Sequence, residues 1–257
     1  MLTLDIDQQL SGHVFPFLLV LTRLGVAFML FPGIGEAFVP TKVRMMLALA
    51  VSFVMFPALT PLLPPLPSGV PDLVLLIARE ALIGVFFGSL LRLLMGAIET
   101  AGTMVGLQIG LSNATILNPA LASQSALPSA FLSMAAVALV FLTGLDHLLL
   151  RSLMDSYRVF PAGSFPETGD VVESYSHMVT SSFKMGVELA APFIIGGLML
   201  YAALGFMQRL MQQVQLFLVV LPMQIFGGLI LFMATLGAML SVWLRYFDAS
   251  LDQLLSR

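Results

Sequence analysis

Four long stretches of this sequence contain no charged residue. They cover residues 45–71, 100–145, 189–208 and 210–244. Each is long enough for at least one membrane span, because crossing the hydrocarbon core takes about 20 apolar residues. The composition agrees: 59% of the residues are hydrophobic, 10% are charged and the mean hydropathy is +1.01. An ordinary soluble domain carries about 25% charged residues. The sequence therefore predicts an integral membrane protein.

Helix-breaking residues divide the chain into about six hydrophobic helices, which predicts an all-α, polytopic fold and a single domain over residues 1–257. The predicted helices cover about residues 14–31, 43–57, 72–103, 131–150, 178–208 and 213–247. A Pro-rich connector over residues 57–71 separates the second helix from the third. A short segment at 209–215 separates the last two helices, which predicts that they form a tight hairpin. Residues 151–184 are markedly hydrophilic and are expected to form a solvent-exposed excursion.

The residues offer no candidate for catalysis, metal binding or nucleic-acid binding. There is no cysteine, so thiolate sites and disulfides are excluded. The three histidines are isolated, and no metal site is expected. No phosphate-binding loop or catalytic-serine motif occurs. With a net charge of −3, the chain lacks the basic patch that nucleic acid requires. We therefore expect a protein that is not an enzyme and binds no cofactor.

Five charged residues lie inside or beside the hydrophobic helices, namely Arg23, Arg92, Glu99, Glu188 and Arg209. A charge at membrane depth costs a few kcal/mol or more unless it meets a partner or water, so these side chains are expected to face protein or a cavity. Arg92 and Glu99 share a helix face, and Lys184 can pair directly with Glu188 four residues on. Two readings stay open: structural ion pairs between helices or subunits, and a proton or substrate relay.

The last hydrophobic helix ends on an aromatic and basic cluster. Trp243, Arg245 and Tyr246 follow each other closely there. Amphipathic rings and basic side chains are enriched where a helix leaves the hydrocarbon core. We therefore expect this cluster to anchor the helix at the membrane–water interface.

The most unusual segment is the uncharged but polar stretch from residue 106 to residue 130, which lies between apolar helices. Irregular backbone survives at membrane depth only where it is buried in protein or lines an aqueous cavity. Two readings stay open on these grounds: a loop that lines or blocks a pore, and an ordinary exposed loop. The residues of a pore-blocking loop would be Gly106, Gln108, Gly110, Leu111, Ser112, Asn113, Ala114, Thr115, Asn118 and Pro119.

Three patterns follow each other along the chain. The first comprises Arg23, Pro32, Gly33, VPTKVRMMLALAVS and Pro57. The second comprises Glu80, Gly84, Gly88 and AGTMVGLQIGLSNATILNP, and the third is LGFMQRLMQQVQLFLVVLPMQIFGGLILF. In order and spacing they resemble the FliR/SctT family of type III export-gate proteins over nearly the whole chain. The chain departs from the family in QQVQ at 212–215, in Asn118 and in GLDH at 144–147.

The resemblance implies a subunit of the flagellar protein export gate. Such a subunit joins FliP-like and FliQ-like proteins in a helical assembly and contacts an FlhB-like partner. It forms bent helical hairpins and belongs to the bacterial inner membrane at the flagellar basal body, where it also meets lipid. The middle loop, residues 106–122 here, resembles the family's plug, which obstructs the closed pore until unfolded flagellar proteins pass.

Three other functions stay open. An injectisome-type secretion gate uses a subunit of the same family. A small-molecule transporter would need convergent charges near the midplane and two related halves, whereas the sequence shows one broken region and no halves. A purely structural scaffold would share the fold, but its middle loop would be dispensable for sealing.

Overall fold

A computed structural model describes residues 2–36, 39–111, 127–163, 168–210 and 216–255. Within these ranges the secondary structure is helical, with no β-strand. The α-helices are α1 (Leu2–Leu30), α2 (Thr41–Leu59), α3 (Val70–Gln108), α4 (Leu127–Leu142), α5 (Leu145–Val159), α6 (Thr168–Leu210) and α7 (Leu216–Leu255). Five of them are long and apolar enough to cross a membrane, and α4 with α5 makes a sixth if the pair is one span. The predicted all-α, polytopic fold is confirmed.

Several helices extend beyond the predicted boundaries. α1 begins at Leu2 rather than near residue 14, and α6 begins at Thr168 rather than near residue 178. The predicted hydrophilic excursion, 151–184, is therefore mostly helical, with only residues 160–167 between α5 and α6. The prediction followed the apolar runs, but a helix satisfies its backbone internally and can continue through polar residues.

The Pro-rich connector is shorter than the predicted 57–71. α2 continues through Pro57 to Leu59, and a 3₁₀ turn over Thr60–Leu62 follows, so residues 63–69 form the non-helical part. At the other end, Pro71 is the second residue of α3. Proline is tolerated there, because the first N–H groups of a helix have no partner within it.

The predicted fourth helix, 131–150, is two helices in the structure. α4 ends at Leu142 and α5 begins at Leu145. Gly144 adopts a left-handed backbone conformation with φ +74°, which glycine enters without a steric penalty. A single glycine within an apolar run is often tolerated in a helix, so this break was not predicted.

The chain forms two compact units. The first comprises Met1–Leu93, Gly144–Met178 and Leu251–Arg257, and the second comprises Leu94–Thr143 and Val179–Ser250. In the first unit, α1 packs closely on α3 because α3 has glycines there. A Cβ atom added at Gly84 would lie 3.2 Å from the Cβ atom of Val26. Small residues of this kind let two helix backbones approach in a membrane protein.

A buried ion pair joins α1 to α3 in the first unit. Arg23 Nε donates a hydrogen bond to Glu80 Oε2 at 2.7 Å, and Arg23 Nη2 donates to Oε1 at 3.1 Å. Both side chains are fully buried. Arg23 also donates to the backbone oxygens of Ser156 and Phe160 near the end of α5. Its guanidinium carbon lies 3.9 Å from the ring centroid of Tyr157, which adds a cation–π contact. Arg23 therefore ties α1, α3 and α5 together.

The residues that follow α5 are held by the same part of α3. Arg79 Nη1 donates to the backbone oxygen of Gly163 at 2.8 Å, and the Gly163 N–H donates to Glu80 Oε1 at 3.2 Å. Phe160 packs edge-on against Phe86 and Phe87. The inner face of residues 151–159 is buried as well, so this part of the predicted excursion packs against protein.

In the second unit, α6 and α7 lie antiparallel, as the predicted hairpin requires. The hydroxyl of Tyr246, late in α7, lies 3.0 Å from that of Ser182, early in α6. At the other end, Gln224 Nε2 donates to the hydroxyl oxygen of Tyr201 at 3.3 Å. The connecting residues, 211–215, lie outside the described part of the chain.

Trp243 belongs to the interior of the second unit. It is fully buried, and its indole N–H donates to the backbone oxygen of Leu94 at 3.1 Å. Its ring centroid lies 5.1 Å from that of Phe247. The predicted role of Trp243 as an interfacial anchor is therefore wrong. An indole is buried at low cost when its N–H has an acceptor, and sequence position alone does not reveal that acceptor.

We predict that Arg23→Leu destabilises the protein by about 3–5 kcal/mol, because it leaves the Glu80 carboxylate buried without its counter-ion. The double variant Arg23→Leu/Glu80→Leu should recover part of this loss. Thermal unfolding of the detergent-solubilised protein measures both effects. The control is Lys184→Leu, which removes an exposed pair with 3.9 Å between Nζ and the Glu188 carboxylate. Equal losses in Arg23→Leu and Lys184→Leu would contradict the assignment.

Candidate functional site

The predicted pore-blocking loop begins at a well-defined helix end. The Leu111 N–H donates to the Gly106 oxygen and the Gly110 N–H to the Leu107 oxygen, both at 3.2 Å. Gly110 has φ +84°. This combination is a Schellman motif, which closes the C-terminus of a helix with a left-handed glycine. Gly106 and Gln108 therefore lie in the last turn of α3.

Two further residues of the predicted loop belong to the described chain. Gly110 and Leu111 form the turn after α3. The rest lie outside the described residues, namely Ser112, Asn113, Ala114, Thr115, Asn118 and Pro119. The described chain resumes at Leu127, where α4 begins. The described parts of the site are therefore the two ends of the loop.

A side-chain amide of α7 donates a hydrogen bond to the last backbone carbonyl group of α3. Gln224 Nε2 donates to the backbone oxygen of Gln108 at 2.8 Å, in addition to its bond with Tyr201. Gln224 is only 9% exposed. The last four carbonyl groups of a helix have no partner within it, and a buried carbonyl must be hydrogen-bonded to avoid a desolvation penalty. Gln224 supplies that partner in an otherwise apolar stretch of α7.

Two glycines let the end of α3 sit directly against α6 and α7. A Cβ atom added at Gly228 would lie 2.6 Å from the Cβ atom of Ile109 and 3.2 Å from its Cα atom. A Cβ atom added at Gly197 would lie 3.8 Å from the Cβ atom of Gln108. We call Gly197, Tyr201, Gln224 and Gly228 the socket. It holds Gln108 and Ile109 by one partly buried hydrogen bond and by close packing.

A cavity of about 540 Å³ adjoins the socket within the second unit. Its walls are mainly apolar side chains of α6 and α7, and its polar side chains are Gln108 and Gln224. Among the described residues that line it, none has an acidic, basic or nucleophilic side chain. This described lining is suited to packing against apolar groups.

The other end of the loop is also held on α3. A Cβ atom added at Gly102 would lie 2.7 Å from the backbone nitrogen of Ser129, and the Ser129 hydroxyl donates to the Glu99 oxygen at 3.0 Å. Gly102 precedes Ile109 by two helical turns, or about 10 Å along the axis. Both ends of the segment 112–126 are thus fixed near one end of one helix.

Two of the five predicted charges belong to the first unit. Arg23 pairs with Glu80, and Arg92 Nη1 forms a salt bridge with Glu36 Oε1, both in the first unit. The other three charges belong to the second unit, where Glu99 is half-buried, Glu188 is exposed beside Lys184, and Arg209 is exposed in the last turn of α6. Arg23 and Arg92 therefore each form an ion pair within the first unit.

Metal-binding geometry is also not found in the part of the chain that the structure describes. No three His, Asp or Glu side chains come together there in a group that could hold a metal ion. His147 Nδ1 lies 3.2 Å from Asp146 Oδ1, and the histidine is largely exposed. An exposed pair of this kind lacks the further ligands that a structural zinc ion needs.

Sequence reasoning missed several residues that position the site. Gln224 is an uncharged polar residue inside the charge-free run 210–244, and a buried amide there needed an acceptor. The Gly-Gly pairs at 196–197 and 227–228 were a second signal, since small residues mark close helix contacts in membranes. Glu36 and Glu80 could have been sought as counter-ions for the two arginines, but their pairing depends on the tertiary fold.

The described fold and site define a class of protein: a polytopic helical membrane protein with an uncharged segment held on the end of one long helix. The sequence profile of bacterial export proteins, family 1, matches residues 14–250. The chain therefore belongs to that family, which confirms the resemblance seen in the sequence.

Individual relatives extend over nearly the whole chain. It is 34% identical to the flagellar biosynthetic protein FliR of Caulobacter vibrioides, over 93% of this chain and 96% of that protein. It is 30% identical to the FliR protein of Escherichia coli, over 100% of this chain and 97% of that protein. It is 28% identical to the Yop proteins translocation protein T of Yersinia pestis, over 59% of this chain and 59% of that protein.

We predict that Gly110→Ala loosens the end of α3. A residue with a Cβ atom in the left-handed conformation costs roughly 1–2 kcal/mol, whereas Gly110→Asn should be better tolerated. Hydrogen exchange of the amides of residues 107–111 in the purified protein measures the effect. The control is Gly96→Ala in the same helix, where an added Cβ atom meets nothing within 4 Å. Unchanged exchange in Gly110→Ala would rule out the cap.

Proposed function

We propose that this chain is a subunit of the flagellar type III protein export gate, through which unfolded flagellar proteins are exported. The observation that carries the proposal is the match of nearly the entire chain to flagellar FliR proteins. The fold agrees, since it has five to six helices able to cross a membrane. The injectisome alternative is less favoured, because the similarity to the Yop translocation protein covers only 59% of each chain.

The proposal includes a single export-gate domain over residues 1–257, in which residues 106–122 act as the pore plug. Three features support the plug. The segment carries no charge, so moving it breaks no ion pair. Its start is fixed on the socket by Gln108 and Ile109. Its return is fixed beside Gly102. The described residues at both ends of the segment are thus held by neighbouring helices.

The proposed partners are FliP-like, FliQ-like and FlhB-like export subunits, in the bacterial inner membrane. Support comes from large apolar side chains exposed on the long helices, among them Phe53 and Val54 on α2, Met199 and Phe206 on α6, and Met233 on α7. Such surfaces are stable only against lipid or against other apolar helices. In the gate, partner subunits cover part of this surface and lipid covers the rest.

The proposed role is mechanical and not enzymatic. The socket and the adjoining cavity contain amides, a phenol and apolar groups, which provide packing and hydrogen bonding but no nucleophile or general base. A transporter of ionic solutes is not favoured either, because the described residues of the cavity wall carry no charged side chain. The energy for export would come from other components.

We predict that deleting residues 112–117 leaves assembly intact but makes the membrane leaky to ions and small solutes. This deletion spares the cap at Gly110. The remaining residues, 118–126, can still connect the two ends, because an extended chain spans roughly 3.3–3.6 Å per residue. Membrane conductance with the co-purified complex is the measurement. Wild-type conductance in a fully assembled complex would contradict the plug.

We predict that Arg209→Leu weakens co-purification of the partner subunits. The exposed guanidinium ends a long apolar helix, and loss of one charged interface contact is expected to weaken association about tenfold. The control is Arg158→Leu, since Arg158 already has an intrachain partner, with Nη1 3.5 Å from Asp155 Oδ1. Equal recovery of the complex from wild type and Arg209→Leu would exclude an interface role.

A further inference from the structure

We propose that the cavity beside the socket is a binding site for a small, uncharged amphiphile, meaning a molecule with an apolar body and one hydroxyl or amide group. The apolar body packs between α6 and α7, and the polar group binds the side-chain amides of Gln108 and Gln224. The described residues that line the cavity all belong to the second unit. The site is independent of the export function proposed above.

The first argument is the size of the cavity. Its volume of about 540 Å³ lies within the range of roughly 300–1,000 Å³ that is usual for small-molecule sites. Its α6 wall extends from Phe193 to Met207, which is about 21 Å at 1.5 Å per residue. The cavity can therefore hold an elongated molecule along the two helices.

The second argument is that two glycines keep the space between α6 and α7 open. Gly196 and Gly227 both line the cavity, and a Cβ atom added at either position would meet nothing within 4 Å. Their neighbours Gly197 and Gly228 instead lie against the end of α3. In each Gly-Gly pair, one glycine thus lets the end of α3 pack closely and the other leaves room for a ligand.

The third argument is that two amides in the cavity wall have unused hydrogen-bonding groups. Gln224 Nε2 donates to Gln108 and Tyr201, but within the described chain Gln224 Oε1 accepts no hydrogen bond. The side-chain amide of Gln108 likewise has no hydrogen bond to a described residue. Gln224 is only 9% exposed, and a buried polar group without a partner carries a desolvation penalty. A ligand hydroxyl that donates to Gln224 Oε1 and accepts from Gln108 Nε2 removes this penalty.

These features select one class of ligand. An ionic ligand is disfavoured, because the described lining has no charged side chain and an unpaired charge is costly to bury. The hydrocarbon tail of a lipid fits the apolar walls but leaves both amides without partners. An uncharged amphiphile satisfies the walls and the amides together.

The first test uses octanol and octane that carry a photoreactive diazirine group. The full-length protein is irradiated with each probe in phosphatidylcholine vesicles, and labelled residues are identified by mass spectrometry. We expect saturable labelling of residues 193–207 and 220–231. Unlabelled octanol should displace the octanol probe about fivefold more strongly than octane does at equal membrane concentration, because only octanol can bond to the amides.

Two outcomes of this test contradict the proposal. Equal displacement by octanol and octane would identify an apolar groove for lipid tails and would overturn the amphiphile site. Absence of saturable labelling in these two stretches would show that the cavity is closed or covered in the membrane, for example by a partner helix, and would overturn it as well.

The second test fills the cavity from its two open glycines. Gly196→Leu and Gly227→Leu place a side chain in the space that the ligand occupies, so each should reduce octanol labelling at least about tenfold. Gly205→Leu and Gly237→Leu are the matched controls on the same two helices. A Cβ atom at either control position also meets nothing within 4 Å, but neither residue lines the cavity. Equal labelling in all four variants would exclude the site.

The third test assigns the hydrogen bond. Gln108→Leu keeps the backbone oxygen to which Gln224 donates but removes the side-chain amide. The variant should lose the preference for octanol over octane while octane still displaces the probe. A preference unchanged from wild type would contradict the assigned role of Gln108. The glycine comparison needs no change at Gln108, so it tests the site even if this variant is not recovered folded.

Discussion

Polar groups buried among apolar helices must find their partners within the protein, and this requirement organises the structure. Hydrocarbon offers no hydrogen bonds, so each unsatisfied group costs several kcal/mol. Arg23 satisfies Glu80 and also the carbonyl oxygens at the end of α5. Gln224 and Trp243 each donate to a carbonyl oxygen of α3. In all three cases a side chain from one helix serves the backbone of another, which determines which helices pack together and in what register.

Close packing of glycine adds to these hydrogen bonds. Gly84 brings α1 onto α3 in the first unit, and in the second unit Gly102 does the same for α4 and Gly228 for the end of α3. Between apolar helices in a membrane the hydrophobic effect supplies little driving force, so van der Waals contact between backbones becomes important. The hydrogen bonds determine which helices pack together, and the glycines let those helices approach to hydrogen-bonding distance.

The all-α fold, the number of candidate membrane spans and the membrane class could be predicted, because a long charge-free run has few alternatives to a membrane-spanning helix. The need of Arg23 for a partner was also visible, since a charge in the middle of an apolar helix demands one. Which residue serves as that partner could not be predicted, because Glu80 is 57 residues away from Arg23 and only the tertiary fold brings the two together. The break at Gly144 and the burial of Trp243 were missed for a related reason: both depend on local geometry that apolar composition does not encode.

The antiparallel pairing of α6 and α7 has a consequence for biogenesis. Gln224 lies 23 residues from Tyr201 but 116 residues from Gln108. A ribosome making the chain from its N-terminus therefore completes α3 long before either half of the socket exists. The last carbonyl of α3 must wait, hydrated or provisionally paired, until the final helix has entered the bilayer. The end of α3 consequently reaches its final packing only when nearly the whole polypeptide has been synthesised.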